Sequence, residues 1–443
     1  MAGLRTTAGA RALTRSFPTS DSDIVTKLRA QGAVIIGKAN LDTFAIGGNS
    51  SSEVAGQTLN PYGPSVASAG SSSCGNGAGG AAVFAVIGIG SDTTGSVLSP
   101  ASNANLIGFN LPHGRVPMRG VFPLTPLLDR AGPLVRYATD LARVLDVLDP
   151  TIPSDRLPFY ASPEVLNENG LKGMRIGVLQ LAFQSFAIES LSWNMTQEVR
   201  VLYDRLLFNL SNEGAILKTC PNVSHEEIFE LSGMRILNEI QVFTTCFSNF
   251  VDEYLTGVTQ SSEFHTAQDL LNSGRLSPPV SLFIETSLQQ REFCSQSIAN
   301  FKAFKHNYTQ SLIDPLFSSC GDILISPFSD TFPFSRKSTM APTQLSFVSG
   351  YPQMSLQMGF SEPLQGAPQG LPLGLYATAR HGNERLLVRL AYAAEKKFGR
   401  RTVLPSSVKE SSSDANTIYE IKYNSVLTVV IILFALDIKL RVS

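Results

Sequence analysis

The chain has 443 residues, of which 43% are hydrophobic and 16% charged, and its formal net charge is −1 at pH 7. This composition is typical of a globular protein that buries a large core. The nearly neutral charge argues against a strongly basic protein that binds polyanions, so we expect no nucleic-acid partner.

Cysteine and histidine usage gives no indication of a metal site or of a disulfide framework. The five histidines lack the spacing of metal ligands, and we therefore expect no metal. The cysteines are odd in number and scattered, which predicts reduced thiols; they are Cys74, Cys220, Cys246, Cys294 and Cys320. Since the first residues lack the apolar segment of a secretory signal, the expected location is the cytoplasm.

The first third of the chain alternates helical and strand patterns. Residues 20–32 predict a helix with Ser22 as its N-cap, and residues 33–37 predict a strand in the buried middle of a sheet. Residues 78–86 fit either a buried helix or a strand, and 86–90 predict a strand that enters a turn. This alternation indicates α/β architecture.

The rest of the chain contains two strong helical patterns and a change of character near its end. Residues 138–148 and 383–399 predict amphipathic helices, the second capped by Asn383, and residues 370–379 predict a strand. From Pro405 a linker leads into an apolar run that is too short to cross a bilayer. We interpret the run as an aggregation-prone strand, with a membrane-associated tail or a misread gene end as alternatives.

Two serine-containing stretches raise the question of function. They are "SAGSSSCGNGAGG" at 68–80 and "GSDTTGS" at 90–96. The glycines of the first match the dinucleotide fingerprint as text, but the required preceding strand and later acidic residue are missing. A flexible linker is a second interpretation. A serine active site is the third, and Gly95 would there allow backbone N–H groups to turn inward as an oxyanion hole.

Taken together with their surroundings, these stretches resemble the amidase signature family. The matches are Gly70-Ser71-Ser72-Ser73-Cys74-Gly75-Asn76 and Gly90-Ser91-Asp92-Thr93-Thr94-Gly95-Ser96. Further segments follow in the order of the family, among them "TTAGARAL", "GAVIIGKANLDTFAIG", "NLIGFNLPHGRVPMRGVFPLTPLLDRAGPLVR" and "GLPLGLYATARHGNERLLVRLAYAAE". The resemblance covers most of residues 3–400 and is weakest over 150–345.

The resemblance implies an α/β/α fold with a mixed central sheet covered by helices, and hydrolysis of a carboxylic amide without metal or organic cofactor. Ser96 would be the nucleophile that forms the acyl-enzyme. A bridging serine on a cis peptide would lie 24 positions earlier, at Ser72, with Ser71 as the alternative. Backbone N–H groups of Thr93, Thr94, Gly95 and Ser96 would form the oxyanion hole.

Other polar residues of the motifs receive supporting roles. Ser73 is expected to support the loop, and Asp92 and Asp129 are expected to orient it rather than to act as acid or base. The family's catalytic lysine would lie just before "AGLRTTAGARAL", a part that the sequence does not include. Lys38 occupies a different position of the family and is interpreted as a surface or loop lysine. We therefore expect the chain as written to fold poorly and to have little activity.

Domain limits and partners follow from the same interpretation. The amidase domain is expected over 1–404, with a signature core at 66–136 and a variable, substrate-determining region at 150–345. The segment 405–443 forms the linker and tail. The expected partner is a small-molecule amide, and a homodimer stays open. The alternatives are a protein that resembles the A subunit of the tRNA-dependent amidotransferase, and a non-catalytic protein that keeps the fold.

Overall fold

The computed structural model describes residues 1–179, 196–220, 225–258, 263–328, 344–399, 405 and 431–433. Most of the expected linker and tail therefore lies outside the described residues. Among the described residues, none of the helices combines the length and the apolar character that crossing a membrane requires.

A mixed sheet of ten strands within the described residues organises the molecule, in the order β1-β12-β4-β6-β5-β10-β11-β9-β7-β8, and β2 and β3 form a separate pair. The strands are β1 (Val34–Gly37), β2 (Ser51–Ser52), β3 (Gly56–Gln57), β4 (Ile87–Asp92), β5 (Ile107–Asn110), β6 (Arg130–Val135), β7 (Arg175–Val178), β8 (Ile216–Thr219), β9 (Ile323–Pro327), β10 (Gln353–Phe360), β11 (Pro372–Ala379) and β12 (Ile431–Leu433). Strands β1, β12 and β4 are parallel, as are β8, β7 and β9, whereas the strands between these two groups pair antiparallel. This is the mixed sheet that the resemblance implies.

Helices form the rest of the molecule, and several of them pack against this sheet. They are α1 (Asp23–Ala30), α2 (Cys74–Ala81), α3 (Leu98–Asn103), α4 (Ala138–Leu148), α5 (Gln197–Asn212), α6 (His225–Val258), α7 (Ala267–Asn272), α8 (Pro278–Gln289), α9 (Cys294–Tyr308), α10 (Asp314–Cys320), α11 (Gln344–Ser349) and α12 (Glu384–Phe398). Helix α3 contacts β5, β10 and β11, and helices α4 and α12 contact each other and the sheet. The apolar faces of these elements share one large hydrophobic core.

Several local predictions are confirmed. Helix α1 begins after Ser22, whose hydroxyl accepts the N–H of Val25 at 3.3 Å and so satisfies one free donor of the first turn. The ambiguous segment 78–86 lies mainly in helix α2 and the turn after it. Helix α12 has the predicted bounds, but the side chain of Asn383 makes no capping hydrogen bond.

The prediction of a buried strand at 33–37 is wrong. Strand β1 lies at the end of the sheet, and Val34 and Ile36 remain 50% and 48% exposed. An apolar run has no polar alternation that would distinguish an edge strand from a central one, and neighbours from distant parts of the chain decide its burial.

The prediction of reduced thiols is also wrong for four of the five cysteines. Cys220 pairs with Cys320 and Cys246 with Cys294, with Cα–Cα distances of 5.2 and 4.8 Å. Cys74 is free and buried. The partners are separated by 100 and 48 residues, so spacing in the sequence could not show that they meet.

Candidate active site

Two loops meet at the end of the sheet where β4 leaves it. Strand β4 ends at Asp92, and a tight turn follows before α3 begins at Leu98. The serine triplet lies beside this turn, directly before α2. The N–H of Ser73 donates to the carbonyl of Ser96 at 3.1 Å, which joins the two loops through the backbone. The two stretches singled out in the sequence therefore form one site.

The three serines of the first loop differ in their hydrogen bonds. The hydroxyl of Ser71 accepts the N–H of Ser50 at 3.1 Å. The hydroxyl of Ser73 donates to the carbonyl of Ser91 at 3.2 Å, in keeping with its expected supporting role. The hydroxyl of Ser72 is buried and has no hydrogen-bond partner in the described part of the chain. Ser72 also follows the cis peptide bond between Ser71 and Ser72.

Asp92 shapes the turn that carries Ser96. One oxygen of its carboxylate accepts the N–H of Gly95 at 2.8 Å, and the other accepts the N–H of Val97 at 2.7 Å. Gly95 has a φ of 112°, a conformation that favours glycine. These bonds fix the backbone on both sides of Ser96, which is half-buried.

The backbone N–H groups of the turn at 93–96 differ in whether they already have an acceptor. The N–H of Gly95 is already bonded to Asp92, so it is not free for an oxyanion. Within the described residues, the backbone N–H groups of Thr93, Thr94 and Ser96 have no acceptor. The oxyanion hole stays a prediction, for which the N–H groups of Thr93, Thr94 and Ser96 are the donors without an acceptor in the described chain.

Asp129 supports the turn from the segment that leads into the next strand of the sheet. Its carboxylate accepts the hydroxyl of Thr93 at 2.6 Å and the N–H groups of Leu124 and Thr125, both at 2.9 Å. Burial nevertheless raises the pKa of Asp129 to about 7, because the charged form is desolvated. These contacts are all to loop groups, which fits the orienting role expected from the sequence.

Close backbone packing explains the glycines of the motifs. A Cβ on Gly90 would lie 2.4 Å from the hydroxyl oxygen of Ser73, and a Cβ on Gly75 would lie 2.4 Å from the backbone N of Asn40. Both positions therefore need glycine to let the loops approach each other. This packing role replaces the dinucleotide interpretation of the glycine pattern.

A cavity of about 110 Å³ lies beside the serine loop, and Lys38, Ser73, Asn76, Ser91 and Phe122 are among its lining residues. Lys38 lies in a loop directly after β1, as one form of its interpretation had it, but its side chain is buried rather than on the surface. Its ammonium group donates to the carbonyl of Arg5 at 2.8 Å and to the hydroxyl of Thr6. Burial lowers the pKa of Lys38 to about 7.

Sequence reasoning missed Arg130, the first residue of β6. Its side chain is only 3% exposed, and its guanidinium donates to the hydroxyl of Ser346 at 2.9 Å and to the carbonyl of Tyr351 at 3.0 Å. A further nitrogen lies 4.0 Å from an oxygen of Asp92. The available signal was the pair of charged residues, Asp129 and Arg130, inside the mostly apolar segment "LLDRAGPLV".

The mixed sheet with its helices and the two adjoining serine loops define an α/β fold with a serine-rich candidate site at one end of the sheet. The sequence profile of the Amidase family matches residues 1–388, and the chain belongs to this family.

Comparisons with individual proteins agree on the family and point to different members. The chain is 29% identical over 431 residues to the A subunit of the glutamyl-tRNA(Gln) amidotransferase from Desulfosudis oleivorans, covering 89% of this chain and 80% of that one. The corresponding protein of Geobacter sp. is 40% identical over 182 residues, 40% of this chain and 37% of the relative. Peptide amidase in complex with chymostatin has a similar structure, with a TM-score of 0.74 at 26% identity, over 91% of this chain and 82% of that one.

Proposed function

We propose that the protein is an amidase, a hydrolase of C–N bonds other than peptide bonds, that converts a carboxylic amide into an acid and ammonia or an amine. Ser96 is the nucleophile and Ser72 the bridging serine of this proposal. The observation that carries it is the buried hydroxyl of Ser72, which lacks a partner in the described chain beside the turn of Ser96. A buried polar group without a partner is rare and calls for an explanation.

The proposed reaction has two halves. The Ser96 oxygen attacks the amide carbon while its proton passes to the Ser72 oxygen and the hydroxyl proton of Ser72 passes on to the base of the relay. A proton then returns from the base through Ser72 to the leaving nitrogen. The C–N bond breaks and an acyl-Ser96 ester forms. Water next attacks this ester, which releases the acid and restores the Ser96 hydroxyl. The family resemblance assigns the final base to a lysine that precedes residue 3 in other members.

The turn supplies the stabilisation of the negative oxygen in this proposal. The N–H groups of Thr93, Thr94 and Ser96 belong to a backbone that Asp92 and Asp129 hold in place. Loss of one such donor typically costs about 3–4 kcal/mol of transition-state stabilisation. Preorganisation by buried carboxylates keeps the donors in place before the charge develops.

A second candidate is the A-type subunit of a tRNA-dependent amidotransferase. It is favoured by the names of the curated relatives, although the identity over most of the chain is 29%. A protein of this type would need partner chains, whereas a free hydrolase would not. Turnover that depends on co-purified partners and on tRNA would select this candidate.

Ammonia release from a panel of simple carboxamides tests the proposal. The chain should be measured as it stands and also with a lysine-bearing upstream segment fused before residue 1, because the resemblance implies a lysine base in the relay. We expect Ser96→Ala and Ser72→Ala each to lower kcat by a factor of about 1,000 or more. The matched control is Ser71→Ala, which should stay within about tenfold of the parent because Ser71 accepts a backbone N–H.

Three results would overturn the assignment. Equal losses in Ser71→Ala and Ser72→Ala would make the bridging role of Ser72 untenable. Full turnover in Ser96→Ala would remove the nucleophile. Absence of turnover in every well-folded form would favour the non-catalytic alternative.

A further inference from the structure

Four basic side chains converge near the turn at Ser349–Tyr351, and we call them the basic cluster: His113, Arg130, Lys305 and His381. The guanidinium of Arg130 bonds the carbonyl of Tyr351 at 3.0 Å. The ring of His381 stacks edge-on against Tyr351 with 5.1 Å between centroids.

Lys305 and His113 approach the same turn from the other side. A Cβ added to Gly350 would lie 3.1 Å from the ammonium nitrogen of Lys305 and 3.0 Å from the Cβ of His113. The backbone N–H of His113 also donates to the carbonyl of Gly350 at 2.9 Å. Gly350 therefore leaves room for these two side chains beside the backbone.

Among the described residues, Asp92 is the carboxylate that lies within ion-pair distance of either of the two charged members of the cluster, Arg130 and Lys305. It approaches Arg130, at 4.0 Å, and it already accepts the N–H groups of Gly95 and Val97. Burial and the charge of Arg130 lower the pKa of Lys305 to about 8, and no acid offsets this effect. The neighbouring cations also help to lower the pKa of His113 to about 4, after burial as the main cause.

Other nearby carboxylates are engaged elsewhere. Asp314 accepts the phenol of Tyr351, and one of its oxygens lies 4.0 Å from Arg380. Glu384 lies 3.5 Å from the guanidinium of Arg115. Neither carboxylate forms an ion pair with Arg130 or Lys305 among the described residues.

Arg130 also has donors to spare. Its Nε and the terminal nitrogen that faces Asp92 at 4.0 Å are buried without a hydrogen-bond partner in the described part of the chain. A buried guanidinium keeps its charge, so unsatisfied donors are costly unless an acceptor completes them. An oxyanion is the acceptor that matches both a guanidinium edge and an ammonium.

We propose that the basic cluster binds a carboxylate group of the substrate, with Arg130 and Lys305 as its two charged contacts. The inference rests on the proposed function, because Asp92 links Arg130 directly to the turn that carries Ser96. The substrate class is thereby narrowed to small amides that also carry a carboxylate. His113 and His381 border this group and add no net charge when neutral.

Binding rather than turnover tests this inference. The probe is glutaramate, which carries one carboxylate and one amide, and its uncharged counterpart is glutaramide. Calorimetric titration on the Ser96→Ala chain separates binding from catalysis, so failure of the proposed reaction would not affect the result. We expect glutaramate to bind and glutaramide to bind at least about tenfold more weakly, as loss of a charge-assisted contact implies.

Two lysines on one helix give a matched pair of variants. Lys305→Met should weaken glutaramate binding about tenfold, whereas Lys302→Met, an exposed position on α9, should leave it unchanged. Arg130→Lys keeps the charge but loses the planar pair of donors, so it should weaken binding as well.

Three outcomes would overturn the proposal. These are equal binding of glutaramate and glutaramide, unchanged affinity in Lys305→Met, and no glutaramate binding by the folded chain. Sodium sulfate at matched ionic strength serves as the inorganic anion. If sulfate competes with glutaramate while glutaramide does not, the carboxylate is confirmed as the group that the cluster recognises.

Discussion

Asp129 illustrates how burial sets the chemistry of one side chain beside the proposed nucleophile. Its carboxyl group has a pKa raised from 3.8 to about 7 by burial, despite three hydrogen bonds that favour the charged form. The folded chain therefore holds this proton more tightly than the unfolded chain does. The resulting stability is fully present below about pH 4 and is lost as the pH rises through about 7.

We predict that the free energy of unfolding of Asp129→Asn depends less on pH between about pH 4 and about pH 8 than that of the parent. An asparagine can accept the N–H groups of Leu124 and Thr125 through its oxygen and donate to Thr93 through its nitrogen. The parent should lose up to about 4 kcal/mol of unfolding free energy between about pH 4 and about pH 8, at roughly 1.4 kcal/mol per pKa unit. Urea unfolding measures the free energy of unfolding of both chains across this pH range. Asp155→Asn, a change at an exposed position, is the control. A parallel profile in Asp129→Asn would contradict the assignment.

At this scale, the sequence directed attention to Ser72 and Ser96 through the family resemblance, and their catalytic roles stay predictions. The burial of Lys38 did not follow from the sequence, because it depends on carbonyl groups more than thirty residues earlier in the chain. The surroundings of Arg130 depend on α11, which is more than two hundred residues away. Such contacts leave no periodic signal in the sequence.

Helices α6 and α9 are joined by the disulfide between Cys246 and Cys294, which closes a segment of 48 residues. Both cysteines are buried within the contact between these helices. A bond that closes a loop of this size typically stabilises the fold by about 4 kcal/mol, chiefly by restricting the unfolded chain.

We predict that reduction lowers the thermal midpoint of the protein. Dithiothreitol should lower the midpoint of the parent by several degrees and should have less effect on a Cys246→Ser/Cys294→Ser chain, which already lacks the bond. Cys74→Ser is the control and should respond as the parent does, because Cys74 forms no disulfide. An unchanged midpoint in the parent after complete reduction would show that the pairing contributes no stability.

Elements with regular patterns were predicted closely, and those whose character depends on neighbours were not. Helix α4 has the predicted bounds because its apolar stripe is strong and local. The edge position of β1 was missed because it is decided by pairing with β12, nearly four hundred residues later. Strand pairing of this kind is set by the whole chain rather than by the strand.

At the scale of the whole molecule, the order of the strands places the residues of the proposed active site close to one another. Strand β4 pairs with β6 along its length, and this pairing places Asp92 opposite Arg130. The nucleophile turn, its supporting carboxylate and the basic cluster therefore share one end of the sheet. Composition and periodicity indicated an α/β fold, but the mixed sheet was available only through the family resemblance.

Covalent labelling of Ser96 is the most direct test of the account. The chain with the fused upstream segment should be treated with a fluorophosphonate, digested, and mapped by mass spectrometry. We predict one phosphonyl adduct, located on Ser96, which disappears in Ser96→Ala and is slowed by at least about a hundredfold in Ser72→Ala. An adduct on another serine, or no adduct on Ser96 in the folded chain, would contradict the central claim.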